Sequence, residues 1–352
     1  MSTPEEIAVC NLASLCLPSY LNRQTNEYDF DKLGESTRVL VRNLNQCITK
    51  SFYPVEKARR SNFKTRPLGI GVMGLHTLYM MMRFPFDSEE AKKINNEIFE
   101  TIYYYAVLES VQESKKYGQY ERFDGSPASK GKLQFDLWGF KPSDRYNWDK
   151  LRKEVCLYGM RNSLLTSCQP TASTAQIQMQ SESIEPINSN LYSRKVLSGE
   201  YILLNKFLVN DLIKIGKWDQ DMINNLIAYS GSIKNIPEIP DNLKELYKTV
   251  WDMSMKTLID QSAERATWID QTQSLNIFIE SPTTSKLSSM WFYGWRKGLK
   301  TSSYYVRSRS KVNASKFAID AELEKKAKET EELSASQVCS INNKEMCLSC
   351  AG

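Results

Sequence analysis

The sequence predicts an α/β architecture, and three observations carry that expectation. Apolar stretches with strand character recur along the chain, as AVCNLASLCL, NSLLTSC and SLNIFIES. Between them lie long helical patterns that bring their own start and stop signals. Strands alternating with helices in this way build a sheet backed by helices.

In chain order, the opening EEIAVCNLASLCL, closed by Pro18, reads as a buried strand. From Asp87 the stretch DSEEAKKINNEIFETIYYYAVLESVQESKKYG reads as a long helix. Asp87 or Ser88 caps it, Glu89 and Glu90 suit its positive end, Lys115 and Lys116 its negative end, and Gly118 its exit. Ile94, Ile98 and Ile102 form its buried stripe. NSLLTSCQPTASTAQIQM reads as strand, turn and helix start. A second long helix is expected from Asp241, after Pro240, to about Arg265, followed by the strand SLNIFIES. After residue 317 the segment IDAELEKKAKETEELSASQ is dense in charge and has no aromatic, which predicts a mobile linker. About twenty such residues reach roughly 25 Å on average and up to about 66 Å when stretched. The expected organisation is therefore a folded part over 1–317, a charged linker over 318–338 and a cysteine-bearing tail over 339–352.

Composition limits the chemistry. At 352 residues with 41% hydrophobic content, the chain has ample core. No apolar run of about 18 residues appears and MSTPEEIAVC lacks a signal pattern, so the expected address is cytoplasmic, with no membrane partner. Eight cysteines without small-domain spacing suggest reduced thiols. The single histidine, His76, excludes any site needing two, and its setting in GLHTLYMMM reads as packing. GIGVMG at 69–74 matches G-x-G-x-x-G, but the polar SNFKTRP before it cannot be the required strand. Close backbone packing is the expected reason for these glycines.

Four motifs remain. QPTASTAQ sets Thr171, Ser173 and Thr174 in a loop that enters a helix, where N–H groups, hydroxyls and the helix dipole can converge on an anion; an ordinary helix cap is the alternative. Cys10 and Cys16 cannot pair, because six residues of strand separate them by roughly 20 Å against a limit of about 7 Å. A buried cysteine in an apolar strand is also a packing residue. The terminus VCSINNKEMCLSCAG carries Cys347 and Cys350 as C-x-x-C, with Cys339 earlier. Three cysteines without a histidine fall short of a closed zinc site, so thiol–disulfide exchange is favoured. TSSYYVRSR sets Tyr304 beside Tyr305 in a stretch, 294–316, with seven basic residues and no acid. In a strand two such tyrosines face opposite sides, and the charge equally marks a nucleic-acid patch.

Together AVCNLASL, RPLGIGVMGLH, FETIYYYAVLES, RNSLLTSCQPTASTAQIQMQSESIEP, RKVLSGE, WIDQTQSLNIFI, FYGWRKGLKTSSYYVRSR and the terminal CLSC closely resemble, in this order, the large subunit of class I ribonucleotide reductase of eukaryote-like or viral type. The resemblance implies the second half of a ten-stranded α/β barrel, with further C-terminal elements and a flexible tail. It also implies radical-based reduction of ribonucleoside diphosphates to deoxyribonucleoside diphosphates. It makes Cys10 one member of the reducing dithiol and assigns Thr171, Ala172, Ser173 and Thr174 to substrate phosphate. Tyr304 and Tyr305 become radical-transfer residues, and Cys347 and Cys350 the tail shuttle recharged by thioredoxin or glutaredoxin.

The resemblance implies no cofactor or metal in this chain and no nucleic-acid partner. The radical, diiron-tyrosyl in kind, would come from a small subunit. The family's N-L-C-x-E finger loop, the other dithiol cysteine, the first half-barrel and the nucleotide-effector sites are expected on a separate N-terminal portion, since only nine residues precede Cys10 here. A split gene or an incomplete sequence is the expectation that follows. The rival readings are a non-catalytic protein or remnant that docks the small subunit, and a basic nucleic-acid or zinc module over 294–350.

Overall fold

The computed structural model describes residues 2–308. The linker at 318–338 and the tail with Cys339, Cys347 and Cys350 lie outside the described residues.

The strands carry the architecture. β1 (Leu12–Cys16) runs parallel to β2 (Gly69–Met73), in register from Leu12 opposite Gly69 to Cys16 opposite Met73. Ile70 then bridges in parallel to Thr166, and Cys168 bridges in parallel to Gln273. The chain that follows Gln273 enters β3 (Ile277–Phe278), which pairs in parallel with β4 (Val306–Arg307). Hydrogen bonds from Tyr304 N–H to Leu275 O (2.6 Å) and from Ile277 N–H to Tyr305 O (2.9 Å) extend that last pairing. Five chain segments thus form one open parallel ribbon, in sequence order from β1 to β4. Among the described residues it does not close into a barrel. Parallel neighbours require crossovers, and here helices supply them.

α1 (Phe30–Lys50) crosses from β1 to β2 and starts where the Asp29 side chain accepts from Lys32 N–H at 2.8 Å. α2 (Leu75–Met82) and α3 (Glu89–Tyr117) follow β2. α3 starts as its sequence foretells: Ser88 Oγ accepts from Ala91 N–H at 3.1 Å, and Gly118 ends the helix. Ile94, Ile98 and Ile102 are buried along it. Gly34 of α1 lies so close to the Tyr105 ring of α3 that a Cβ would overlap it, which sets how near the two helices approach.

Three expectations change. The opening strand has only Leu15 buried, because among the described residues β1 is the outer strand of the ribbon and pairs on one side alone. The helix expected from Asp241 to Arg265 is two helices, Asp241–Leu246 and α5 (Met255–Ala266), the latter following the short α4 (Ala172–Ile177) in our numbering. The break is built by Thr249, whose N–H and Oγ1 both donate to Asp252, and by Val250, whose N–H goes to Ile187 O. NSLLTSC contributes only bridging residues at Thr166 and Cys168, and SLNIFIES only two laddered residues. α6 (Thr284–Arg296) leads on to β4.

Buried apolar side chains fall into two clusters. The larger backs the ribbon, and the smaller gathers Leu208, Leu226, Leu243 and Tyr247 around Met80 of α2. Tyr247 of the smaller cluster and the neighbouring Asp211 meet Arg83 at the end of α2.

Candidate functional site

Side chains alternate across a strand, so the ribbon has two faces. One packs under the helices: Leu15, Ile70, Val72, Cys168 and Ile277 are all buried in the main core. The other carries Ser14, Gly69, Gly71, Ser167, Gln169, Ser274 and Asn276, with Leu12 and Leu165 at one end and Met73 and Phe278 at the other. A parallel sheet normally reads as apolar on both faces. Here the middle of the second face is small and polar.

The glycines of β2 belong to that face. A Cβ on Gly69 would lie 2.5 Å from Leu12 Cδ2, and one on Gly71 would lie 2.5 Å from Ser167 O and overlap Gln169 Oε1. Close approach therefore explains G-x-G here, as the sequence led us to expect. Gln169 crosses over Gly71 and donates from Nε2 to Ala13 O and Ser14 Oγ, both at 2.8 Å, tying the third segment to β1.

Cys10 is exposed and lies two residues ahead of β1, where the ladder still reaches Asn11 through Gly69 N–H to Asn11 O at 2.9 Å. The loop 171–174 lies at the other end of the ribbon. Ala13 is level with Thr166 through Ile70, so Cys10 and Thr171 are separated by on the order of 20 Å along the strands. Thr171 is buried, its Oγ1 accepts from Ser183 N–H at 2.7 Å, and its carbonyl accepts from Ala175 N–H at 2.8 Å. Ala172, Ser173 and Thr174 are exposed, and their N–H groups are the first-turn donors that any α-helix leaves unpaired. The structure therefore commits the Thr171 hydroxyl to shaping the loop, while its three neighbours face outward.

Tyr304 and Tyr305 sit at the opposite edge from Cys10, just before β4. They do not face opposite sides: a bend at Tyr304 brings their ring centroids to 4.3 Å at 60°, with each residue about half exposed. A hydrogen bond with Tyr305 is the first cause that raises the Tyr304 phenol above its ordinary value. The Arg307 guanidinium lies 5.5 Å from the centre of the Tyr305 ring. Beside the pair, α6 exposes Trp291, Phe292 and Trp295, and Trp291 Nε1 donates to Ser303 Oγ at 3.2 Å.

Part of the basic stretch is engaged within the fold. Lys297 pairs with Asp260 at 2.9 Å, and Lys300 donates to the carbonyls of Ile269 and Asp270. His76 is wholly buried, accepts Ile187 N–H at Nδ1 (2.9 Å), and is pushed down to about 3 by burial, in keeping with packing. Among the described residues, no group of three or more His, Cys, Asp or Glu side chains is arranged to hold a metal. No helix among them is long and apolar enough to cross a membrane.

One residue of this face escaped sequence reasoning. Glu185 is buried, its Oε1 accepts from Asn276 N–H at 3.3 Å, and its Oε2 finds no hydrogen bond among the described residues. Burial pushes it up to about 7, against the Asn276 hydrogen bond and the charges of Arg265 and Arg307. The only local signal is its place between Ile184 and Pro186, a carboxylate set among apolar neighbours.

A helix-backed parallel ribbon defines an α/β protein. Comparison with known proteins gives the family: residues 1–305 match the ribonucleotide reductase barrel domain, and the chain belongs to that family. It is 47% identical over 373 residues to the ribonucleoside-diphosphate reductase large subunit of Plasmodium falciparum (isolate Dd2), a match that takes in 100% of this chain and 46% of that protein. The Caenorhabditis elegans large subunit is 48% identical over 351 residues, covering 100% of this chain and 44% of its own length. The Saccharomyces cerevisiae large chain 2 is 49% identical over 326 residues, covering 92% and 38%. Among solved structures, the Actinobacillus ureae class Id ribonucleotide reductase alpha subunit superposes with a TM-score of 0.67 at 26% identity, over 88% of this chain and 51% of that one. The chain thus spans less than half the length of these curated relatives.

Proposed function

We propose that this chain forms part of the catalytic unit of a ribonucleoside-diphosphate reductase. In this reading its open ribbon is one half of a ten-stranded barrel, completed by an N-terminal portion along the free edges. Unpaired strand edges and the exposed Ile7 and Leu12 beside β1 support such a partner. The reaction replaces the ribose 2′-hydroxyl by hydrogen; the hydroxyl leaves as water, and two thiols supply the electrons and protons as they close to a disulfide.

The roles divide along the ribbon. Ala172, Ser173 and Thr174 hold substrate phosphate through N–H groups and hydroxyls, with Thr171 keeping the loop in shape. Cys10 is one thiol of the dithiol, its partner being on the N-terminal portion. Cys347 and Cys350, outside the described residues, re-reduce that pair and are recharged by thioredoxin or glutaredoxin. A small subunit supplies the oxidising radical, and Tyr304 and Tyr305 pass it inward. The observation that carries the reading is the tyrosine pair itself: stepwise oxidation needs phenols in contact, and these are 4.3 Å apart, exposed, and flanked by the aromatic face of α6 on which a radical-bearing partner can dock.

The test is reconstitution. The full chain mixed with an N-terminal portion, a small subunit and thioredoxin should form deoxyribonucleoside diphosphates, and absence of product under every pairing sinks the reading. Within it, Ser173 and Thr174 changed together to Ala should weaken ADP binding by roughly 1 to 3 kcal/mol. Cys350→Ser should spare one turnover with preloaded dithiol and stop repeated turnover. Binding of the small subunit without any turnover would favour the docking protein instead.

A further inference from the structure

The third ribbon segment leaves the ribbon at Gln169 and Pro170, while the fourth continues to Phe278. Ser274 N–H still finds Cys168 O, at 2.8 Å, but the next donor on that side, Asn276 N–H, has no strand left to bond. Glu185 Oε1 takes it. A carboxylate oxygen thus stands where a neighbouring strand's carbonyl would be.

What Glu185 joins is specific. Behind it, Glu185 N–H bonds to Glu182 O at 2.8 Å, and Ser183 N–H bonds to Thr171 Oγ1 at 2.7 Å, so the turn is fastened to the candidate phosphate loop. Ahead of it, Asn276 is flanked by Leu275 and Ile277, the two residues that receive Tyr304 N–H and donate to Tyr305 O. Thr171, Ser183, Glu185 and Asn276 are all buried. Arg307, lying over the Tyr305 ring, adds its charge to the same carboxyl. The second carboxyl oxygen finds no partner among the described residues, a cost that filling the gap does not by itself explain.

We propose that Glu185 is a positioning residue that joins the 171–174 loop to the strand bearing Tyr304 and Tyr305, so that a change in the loop reaches the phenols. The inference rests on the reading above for what loop and phenols do, and its test does not. With 3-fluorotyrosine at position 304 of the full chain, the ¹⁹F resonance reports the phenol. Thr171→Val, which removes the acceptor of Ser183 N–H, should shift that resonance. In a Glu185→Ala background the same change should leave it unmoved, and Glu185→Gln, which keeps the acceptor for Asn276, should restore the response. If Glu185→Ala does not fold, Glu185→Asp, one methylene too short to reach Asn276, takes its place with the same expectation. Equal responses to Thr171→Val with and without Glu185, or a Gln variant that behaves like Ala, overturn the proposal. The readout needs neither ligand nor turnover, so a wrong phosphate assignment shows separately, as failure to bind ADP.

Discussion

Behind the ribbon, between α1 and α3, Asn162 uses every hydrogen-bonding atom of its side chain. Its Nδ2 donates to Asn45 Oδ1 (2.9 Å) and Arg66 O (2.8 Å), and its Oδ1 accepts from Asn45 Nδ2 and Ser110 Oγ, both at 3.0 Å. On the other side of the same ribbon, Gln169 Oε1, Ser183 Oγ, Glu185 Oε2 and Asn276 Oδ1 find no hydrogen bond among the described residues. Both sets of atoms are buried. A saturated network lowers the free energy of one arrangement only, whereas unsatisfied buried groups raise it and persist where something other than stability holds them. Unpaired buried atoms also occur singly among the helices, as at His76 Nε2 of α2 and Glu264 Oε2 of α5, so the contrast lies in their gathering beside the 171–174 loop, and it can be broken or sharpened by experiment.

The largest effect is expected on the chemical side. Tyr304→Phe removes one oxygen from a half-exposed side chain, so the unfolding midpoint should stay where it is. In the reconstituted enzyme turnover should fall by at least about a thousandfold, about 4 kcal/mol of barrier. Turnover at the parent rate would show that this face carries no electron route. Asn162→Ala should do the reverse. It strands the carbonyl of Arg66, removes the acceptor of the Ser110 hydroxyl and takes two bonds from the Asn45 amide, which keeps those to Val41 and Arg66, and should cost about 2 to 3 kcal/mol in urea unfolding while leaving ADP binding intact.

Glu185 tests the contrast through pH. Its carboxyl titrates at about 7 in the folded chain against an ordinary value of 4.5, so between these values the folded state holds the proton that the unfolded state has lost. Stability from this group is complete below pH 4.5 and is lost as pH rises toward 7, by about 3 kcal/mol at most. Asp270, pushed up to about 6 from 3.8 by burial, slopes the same way over a lower window. Glu185→Gln should therefore flatten the decline in unfolding free energy between pH 4.5 and 7 and leave the Asp270 part in place. An unchanged slope would place Glu185 in water.

The helix-backed side was the more legible in sequence, and the reason is physical. The caps at Ser88 and Gly118, the stripe of Ile94, Ile98 and Ile102, and the packed His76 all follow from local rules, because propensity and periodicity act within one element. The break at Thr249 was invisible, since Val250 is drawn to Ile187, some sixty residues away in sequence. At the site, Cys10, the 171–174 loop and the tyrosine pair were recognisable as motifs. Their disposition was not, because a bend rather than strand alternation brings Tyr304 onto Tyr305. Glu185 was missed altogether, as nothing in SESIEP announces that Asn276, ninety-one residues on, will need its oxygen.

The smallest expected effect probes the seam between the two sides. Gly71 belongs to a strand buried along its whole length, where alanine would ordinarily gain about 0.5 to 1 kcal/mol over glycine through backbone entropy. Against that gain stand two obstacles of different kinds. The Gln169 side chain can swing away, at the cost of its bonds to Ala13 O and Ser14 Oγ. The Ser167 carbonyl at 2.5 Å cannot move alone, because Ser167 N–H is bonded to Ile70 O at 3.0 Å. The backbone clash should dominate, for a net loss of about 1 to 2 kcal/mol in chemical unfolding. Adding Gln169→Ala to Gly71→Ala should recover only the part due to the side chain, so the double variant stays less stable than Gln169→Ala alone. Full recovery would mean that the third segment yields easily, and that Gln169 alone keeps the glycine in β2.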